Sequence, residues 1–103
     1  MIRFDEQTSD SLRELCRSFA VRHLKLFGSA VGPEFDDNRS DLDFLVEFSA
    51  PPSGMGLAEQ YFGFLEELQA LLGRSVDLLE ESAIENTRLK RQALEQAVTL
   101  YAA

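Results

Sequence analysis

The sequence predicts a small α/β (α+β) domain in which a mixed β-sheet carries helices packed on one face. Three observations predict it. Apolar residues recur at helical spacing in three stretches, and short runs rich in strand formers fall between them, in the order helix, strand, strand, helix, strand, helix. That order suits a sheet covered on one side, whose other face stays open for a site. Finally, 103 residues with 45% hydrophobic and 27% charged composition are enough for one modest core and too few for two, so residues 1–103 read as a single domain.

Each element has a local reason. Asp10 or Ser11 can cap the first helix, with Glu14 closing a capping box from Ser11, and Leu12, Leu15, Cys16 and Phe19 then fall on one face. Val21 to Phe27 reads as a strand with Leu24 and Leu26 on one side, ending at Gly28-Ser29, where a long polar loop begins. Leu42 to Phe48, the run LDFLVEF, is apolar enough for a central strand and is broken by Ser49, Pro51, Pro52, Gly54 and Gly56. Leu57, Tyr61, Phe64, Leu65, Leu68, Leu71 and Leu72 mark a second helix that stops at Gly73. Ser75 to Leu79 gives a third strand. Ser82 and Glu85 read as the capping box of a last helix running close to Tyr101, with Leu89, Ala93, Leu94, Ala97, Val98 and Tyr101 as its apolar stripe.

Composition excludes several functions. Eighteen acidic against ten basic residues leave a net charge of -8, which opposes non-specific attraction to nucleic acids or anionic membranes, so no direct nucleic-acid or membrane partner is expected. No apolar run approaches the roughly 20 residues that span a bilayer, and the opening MIRFDEQTSD is acidic where a secretory signal would be basic and then apolar. A cytoplasmic location is expected. Cys16 stands alone and is read as a buried small hydrophobe, His23 as a partly exposed strand residue, and Tyr61, Phe62 and Phe64 as core.

The chemistry sits around two strand ends. Strand side chains alternate, so Asp41 and Asp43 project from one side of the second strand while Leu42, Phe44, Val46 and Phe48 project from the other. Asp77 joins them if the third strand pairs with the second in register. Three ionised carboxylates about 4 Å apart repel by about 4 kcal/mol per pair at an effective dielectric of about 20, more than a marginally stable fold carries uncompensated. A divalent cation compensates, and oxygen ligands without His or Cys favour Mg²⁺, or Mn²⁺, over zinc. Gly28 gives the backbone room beside a phosphate, with N–H groups and the Ser29 hydroxyl as donors.

Gly28-Ser29, the run SDLDFLVEF and the later VDLL resemble the G-S … D-x-D … D signature of the polymerase-β-like nucleotidyltransferases over nearly the whole chain. LFGSA, RSDLDFLVEF and GRSVDLL are similar, in particular, to the minimal nucleotidyltransferases (MNT), antitoxins that act beside HEPN-domain toxins. The resemblance implies the polymerase-β-like palm fold and transfer of AMP from ATP to a hydroxyl of a partner HEPN toxin, a tyrosine. It implies that Gly28 and Ser29 hold the triphosphate, that Asp41, Asp43 and Asp77 ligate metal, and that Asp77 is also the general base. Many relatives carry an Arg soon after G-S, where this chain has Ala30-Val31-Gly32-Pro33, so Arg39, two residues before Asp41, or else Arg22, Lys25 or Arg74, is a candidate to supply the charge on the phosphates. The alternative is a nucleotidyltransferase-fold protein, weak or inactive in catalysis, that neutralises its toxin by steric cover. Oligomeric state is left open.

Overall fold

The computed structural model describes residues 2–32, 41–83 and 87–103. Helix α1 (Glu6–Ser18) leads into β1 (Val21–Phe27), and a single 3-10 turn follows at Gly28–Ala30. Then come β2 (Leu42–Phe48), α2 (Leu57–Leu72), β3 (Val76–Glu80), a second 3-10 turn at Glu81–Ala83, α3 (Thr87–Gln96) and β4 (Val98–Ala102). The strands form one mixed sheet in the order β3-β2-β1-β4. β2 runs parallel to β3, whereas β1 runs antiparallel to both β2 and β4.

The two faces of this sheet divide the labour. Leu24, Leu26, Leu42, Phe44, Val46, Val76 and Leu78 meet Leu12 and Cys16 of α1 and Phe64 and Leu68 of α2 in one buried cluster. Burial pushes the Cys16 thiol up to about 12, as suits a core residue rather than a nucleophile. Phe48 and Phe19 flank Phe64 edge to face. Cross-strand partners share a face, so His23 with Glu47, Lys25 with Leu45, and Phe27 with Asp43 lie on the opposite side. Leu45 is fully buried there, outside the main cluster. Phe62, expected in the core, is instead 60% exposed.

Three helix boundaries differ from the sequence reading. α1 begins at Glu6, one turn before Asp10, because Asp5 caps it by accepting from the Thr8 N–H at 2.7 Å. Any of several polar residues in DEQTSDS is cap-competent, and the earliest still leaves Leu12 and Cys16 facing inward. Asp10 pairs with Arg13 and Ser11 lies within the helix. α3 ends at Gln96, and Val98 to Ala102 is a fourth strand, not a continuation of helix to Tyr101. The free edge of β1 explains the change: its backbone groups need partners, and β4 supplies them, with Ala103 N donating to Arg22 O at 2.8 Å. Ser82 lies in the second 3-10 turn, α3 starts at Thr87, and Glu85 falls outside the described residues.

Helix α2 also covers the outer edge of β3. Leu42 N donates to Ser75 O, which turns the odd-numbered backbone groups of β3 toward β2 and leaves Val76 N and Leu78 O on the outside. Gln69 Oε1 accepts from Val76 N at 3.1 Å and the Tyr61 hydroxyl donates to Leu78 O. Gln60, 2% exposed, donates from Nε2 to Phe19 O at 2.9 Å and to Ser49 O at 3.0 Å, tying the end of α1 to the end of β2. Gln60→Leu keeps the volume but strands two carbonyls, so a loss of about 1–3 kcal/mol in urea denaturation is expected.

Candidate functional site

The carboxylates gather at the end of the sheet where β1 gives way to the Gly28–Ala30 turn. Asp43 is the second residue of β2, and its antiparallel partner is Phe27, the last residue of β1. Its parallel partner on β3 is Asp77, so the register that would unite the second and third strands is the one found. Both carboxylates therefore leave the sheet on the open face. Asp41 stands just before β2, exposed, and acts on Asp43 as a third like charge.

Gly28 closes the other side of this group. Its φ of +75° lies in the left-handed region, and a Cβ built there would stand 2.6 Å from Asp43 Oδ2. The sequence reading gave Gly28 the task of admitting a phosphate; the structure shows that the space it leaves is filled by the Asp43 carboxylate. The side chain of Ser29 and all of Arg39 lie outside the described residues. Ala30, the residue after Ser29, is fully buried.

Electrostatics mark Asp43 as the strained member. Burial raises its pKa, and the Asp77 carboxyl at hydrogen-bonding range and the charges of Asp77 and Asp41 raise it further. Repulsion among the carboxylates contributes, but desolvation is the larger cause. Each of these causes raises it. Tyr61 is raised too, by burial and then by Glu80 and Asp77, but its hydroxyl is committed to Leu78 O and it serves as a tether.

Sequence reasoning missed one polar assembly on the same face. His23 is partly exposed as expected, yet its Nε2 meets Glu81 Oε2, and Lys25 Nζ lies 3.4 Å from Glu81 Oε1. The partners are 58 and 56 residues apart in sequence, so no spacing pattern could have announced them. A groove of about 590 Å³ lies between α1 and α2 beside Glu14, Leu15, Glu67 and Leu71, on the helical side of the sheet.

Asp43 links stability to pH. Its folded pKa lies above the ordinary 3.8, so the folded chain binds that proton more tightly than the unfolded chain. The resulting stabilisation is present below the ordinary value and is lost as pH rises through the folded pKa. Asp43→Asn, permanently neutral, is expected to be more stable than the parent at about pH 7 without divalent ions and to lose that advantage by about pH 3, as chemical denaturation at both values would show. Gly28→Ala is expected to cost about 1–2 kcal/mol from its left-handed backbone alone. It should also displace the Asp43 carboxylate, so the pH dependence just described should weaken in the same denaturation series.

Comparison with known proteins agrees with this geometry. Residues 9–100 match the family model described as a nucleotidyltransferase domain. The protein adenylyltransferase MntA of Thermococcus cleftensis is 41% identical over 75 residues, covering 72% of this chain and 70% of that protein. A solved structure described as a minimal nucleotidyltransferase superposes with a TM-score of 0.70 at 29% identity, over 89% of this chain and 88% of that one. A chain from the complex of tri-AMPylated Shewanella oneidensis HEPN toxin with MNT antitoxin shares the fold, with a TM-score of 0.61 at 19% identity over 95% of this chain and 72% of that one. With the aspartates of β2 and β3 in register beside a left-handed glycine turn, and with this match over most of its length, the chain belongs to the nucleotidyltransferase domain family.

Proposed function

We propose that the protein is an antitoxin that transfers AMP from ATP to a hydroxyl, a tyrosine, of a HEPN-type toxin, with Mg²⁺ or Mn²⁺ as the cation. The observation that carries the reading is the pairing of Asp43 with Asp77 on the open face of the sheet, where their like charges raise the Asp43 pKa. Support comes from the similarity to a protein adenylyltransferase and from the fold shared with an MNT antitoxin complex.

The residues fit a hard divalent ion, because Asp43 and Asp77 bring carboxylate oxygens together and the like-charge cost at Asp43 is what such an ion relieves. Asp41, exposed just before β2, does not complete a group of three donors within 4.8 Å of one another and would turn toward the ion on binding. Asp41, Asp43 and Asp77 would hold it, and it would supply charge neutralisation on the phosphates and on the leaving pyrophosphate. In the transfer, the acceptor oxygen forms a bond to the α-phosphorus of ATP as the bond from that phosphorus to the β-phosphate bridging oxygen breaks. Asp77 accepts the hydroxyl proton, and pyrophosphate departs with the electron pair of the broken bond. Gly28 and Ser29 sit where the triphosphate would lie against the turn, and Arg39 is the cation assigned to it.

The test is intact-mass spectrometry of the toxin encoded beside this gene after incubation with this protein, ATP and Mg²⁺. Gain of whole AMP units, abolished by Asp41→Asn and by Asp43→Asn while circular dichroism shows both variants folded, is the expected result. No mass gain, with the two proteins still co-purifying and the toxin silent, would overturn transfer in favour of steric neutralisation.

A further inference from the structure

We propose that His23, Glu47 and Glu81 form a second divalent-cation site, separate from the aspartates and suited to zinc. Three elements build it: His23 comes from β1, Glu47 from its cross-strand position on β2, and Glu81 from the 3-10 turn after β3. One ligand atom from each lies within 4.8 Å of the other two. Side-chain torsions alone can bring such atoms to the separation of about 3.4 Å that bonds of about 2.0–2.2 Å require around one tetrahedral ion.

The donor chemistry separates this site from the first. An imidazole nitrogen beside two carboxylates favours a borderline ion such as Zn²⁺, whereas an all-carboxylate group favours Mg²⁺. Glu47 lies four residues along β2 from Asp43, roughly 13 Å at the strand rise, so one ion cannot serve both. Glu81 is 8% exposed and already oriented: Lys25 engages Oε1, which leaves Oε2 on the side of His23. An ion here would pin the turn that follows the Asp77-bearing strand to the two central strands.

The chain contains one histidine and one cysteine, and Cys16 is buried in the core, so the experiment has a single reporter. Tag-free protein stripped by chelator would be titrated with Zn²⁺ by calorimetry, with the His23 ring signals followed by NMR. One equivalent bound, with the ring signals moving to a new position in step with it, is the expected result. Glu47→Gln and His23→Gln should each weaken binding roughly tenfold or more, since loss of outer-shell partners alone costs that much in metal sites. Asp43→Asn should leave Zn²⁺ binding unchanged. Glu47→Gln retains the His23–Glu81–Lys25 contacts, so it tests the site even if changes at Glu81 unfold the chain. Absence of binding, stationary ring signals, or undiminished affinity in Glu47→Gln would each overturn the proposal.

Discussion

The parallel pairing of β2 with β3 is the constraint on which the rest of the structure depends. A parallel pair cannot be joined by a tight hairpin, so the chain must cross over between the two strands, and α2 is that crossover. The crossover then does two further jobs. It brings Phe64 and Leu68 onto the core face of the sheet, and it places Gln69 and Tyr61 where they satisfy the outer edge of β3. The same pairing sets Asp77 beside Asp43, because a register that buries Leu78 next to Phe44 leaves those two carboxylates no other place. Core packing and site assembly are thus one event: a shift by a single residue would put Asp77 into the core and Leu78 onto the open face.

Much of this was legible because it rests on period and chemistry. Alternation along LDFLVEF fixed which side chains of β2 face the core, and the left-handed stop at Gly73 ended α2 where the apolar periodicity ends. The open question was pairing, and the register that unites Asp43 and Asp77 is a long-range choice that VDLL could suggest but not impose. What was not legible has a common cause. Val98, Leu100 and Tyr101 suit a strand as well as the last turn of a helix, and the decision lay with the unpaired edge of β1, far away in sequence. The His23–Glu81 contact and the choice of Asp5 over Asp10 as cap likewise depend on neighbours that no local pattern displays.

The glycine before Ser29 shows how closely backbone and site are coupled. In most turns a left-handed glycine relieves only local strain. Here the missing side chain also makes room for an acidic group on the adjacent strand, since a Cβ would stand 2.6 Å from Asp43 Oδ2. The Asp43 carboxylate is thereby held against a backbone turn instead of swinging out to water, and that confinement is part of why desolvation leads the causes of its shift. A phosphate approaching the turn would meet both the glycine backbone and this carboxylate, so in the proposed reaction a cation would have to offset that repulsion.

Two groups of acids occupy the open face, and their opposite electrostatics separate a structural role from a reactive one. Around Glu81 the protein supplies His23 and Lys25, and the carboxylate is held below its usual pKa despite burial. Around Asp43 stand the carboxylates of Asp77 and Asp41, which with burial push its pKa up. Repulsion of that kind lowers the stability of the empty fold and is retained only where something from outside relieves it. The compensated end can therefore hold the turn after β3 in place at all times. The end at Asp43 and Asp77 holds like charges against each other, and relief of that repulsion by a cation is the energy on which the proposed transfer would draw.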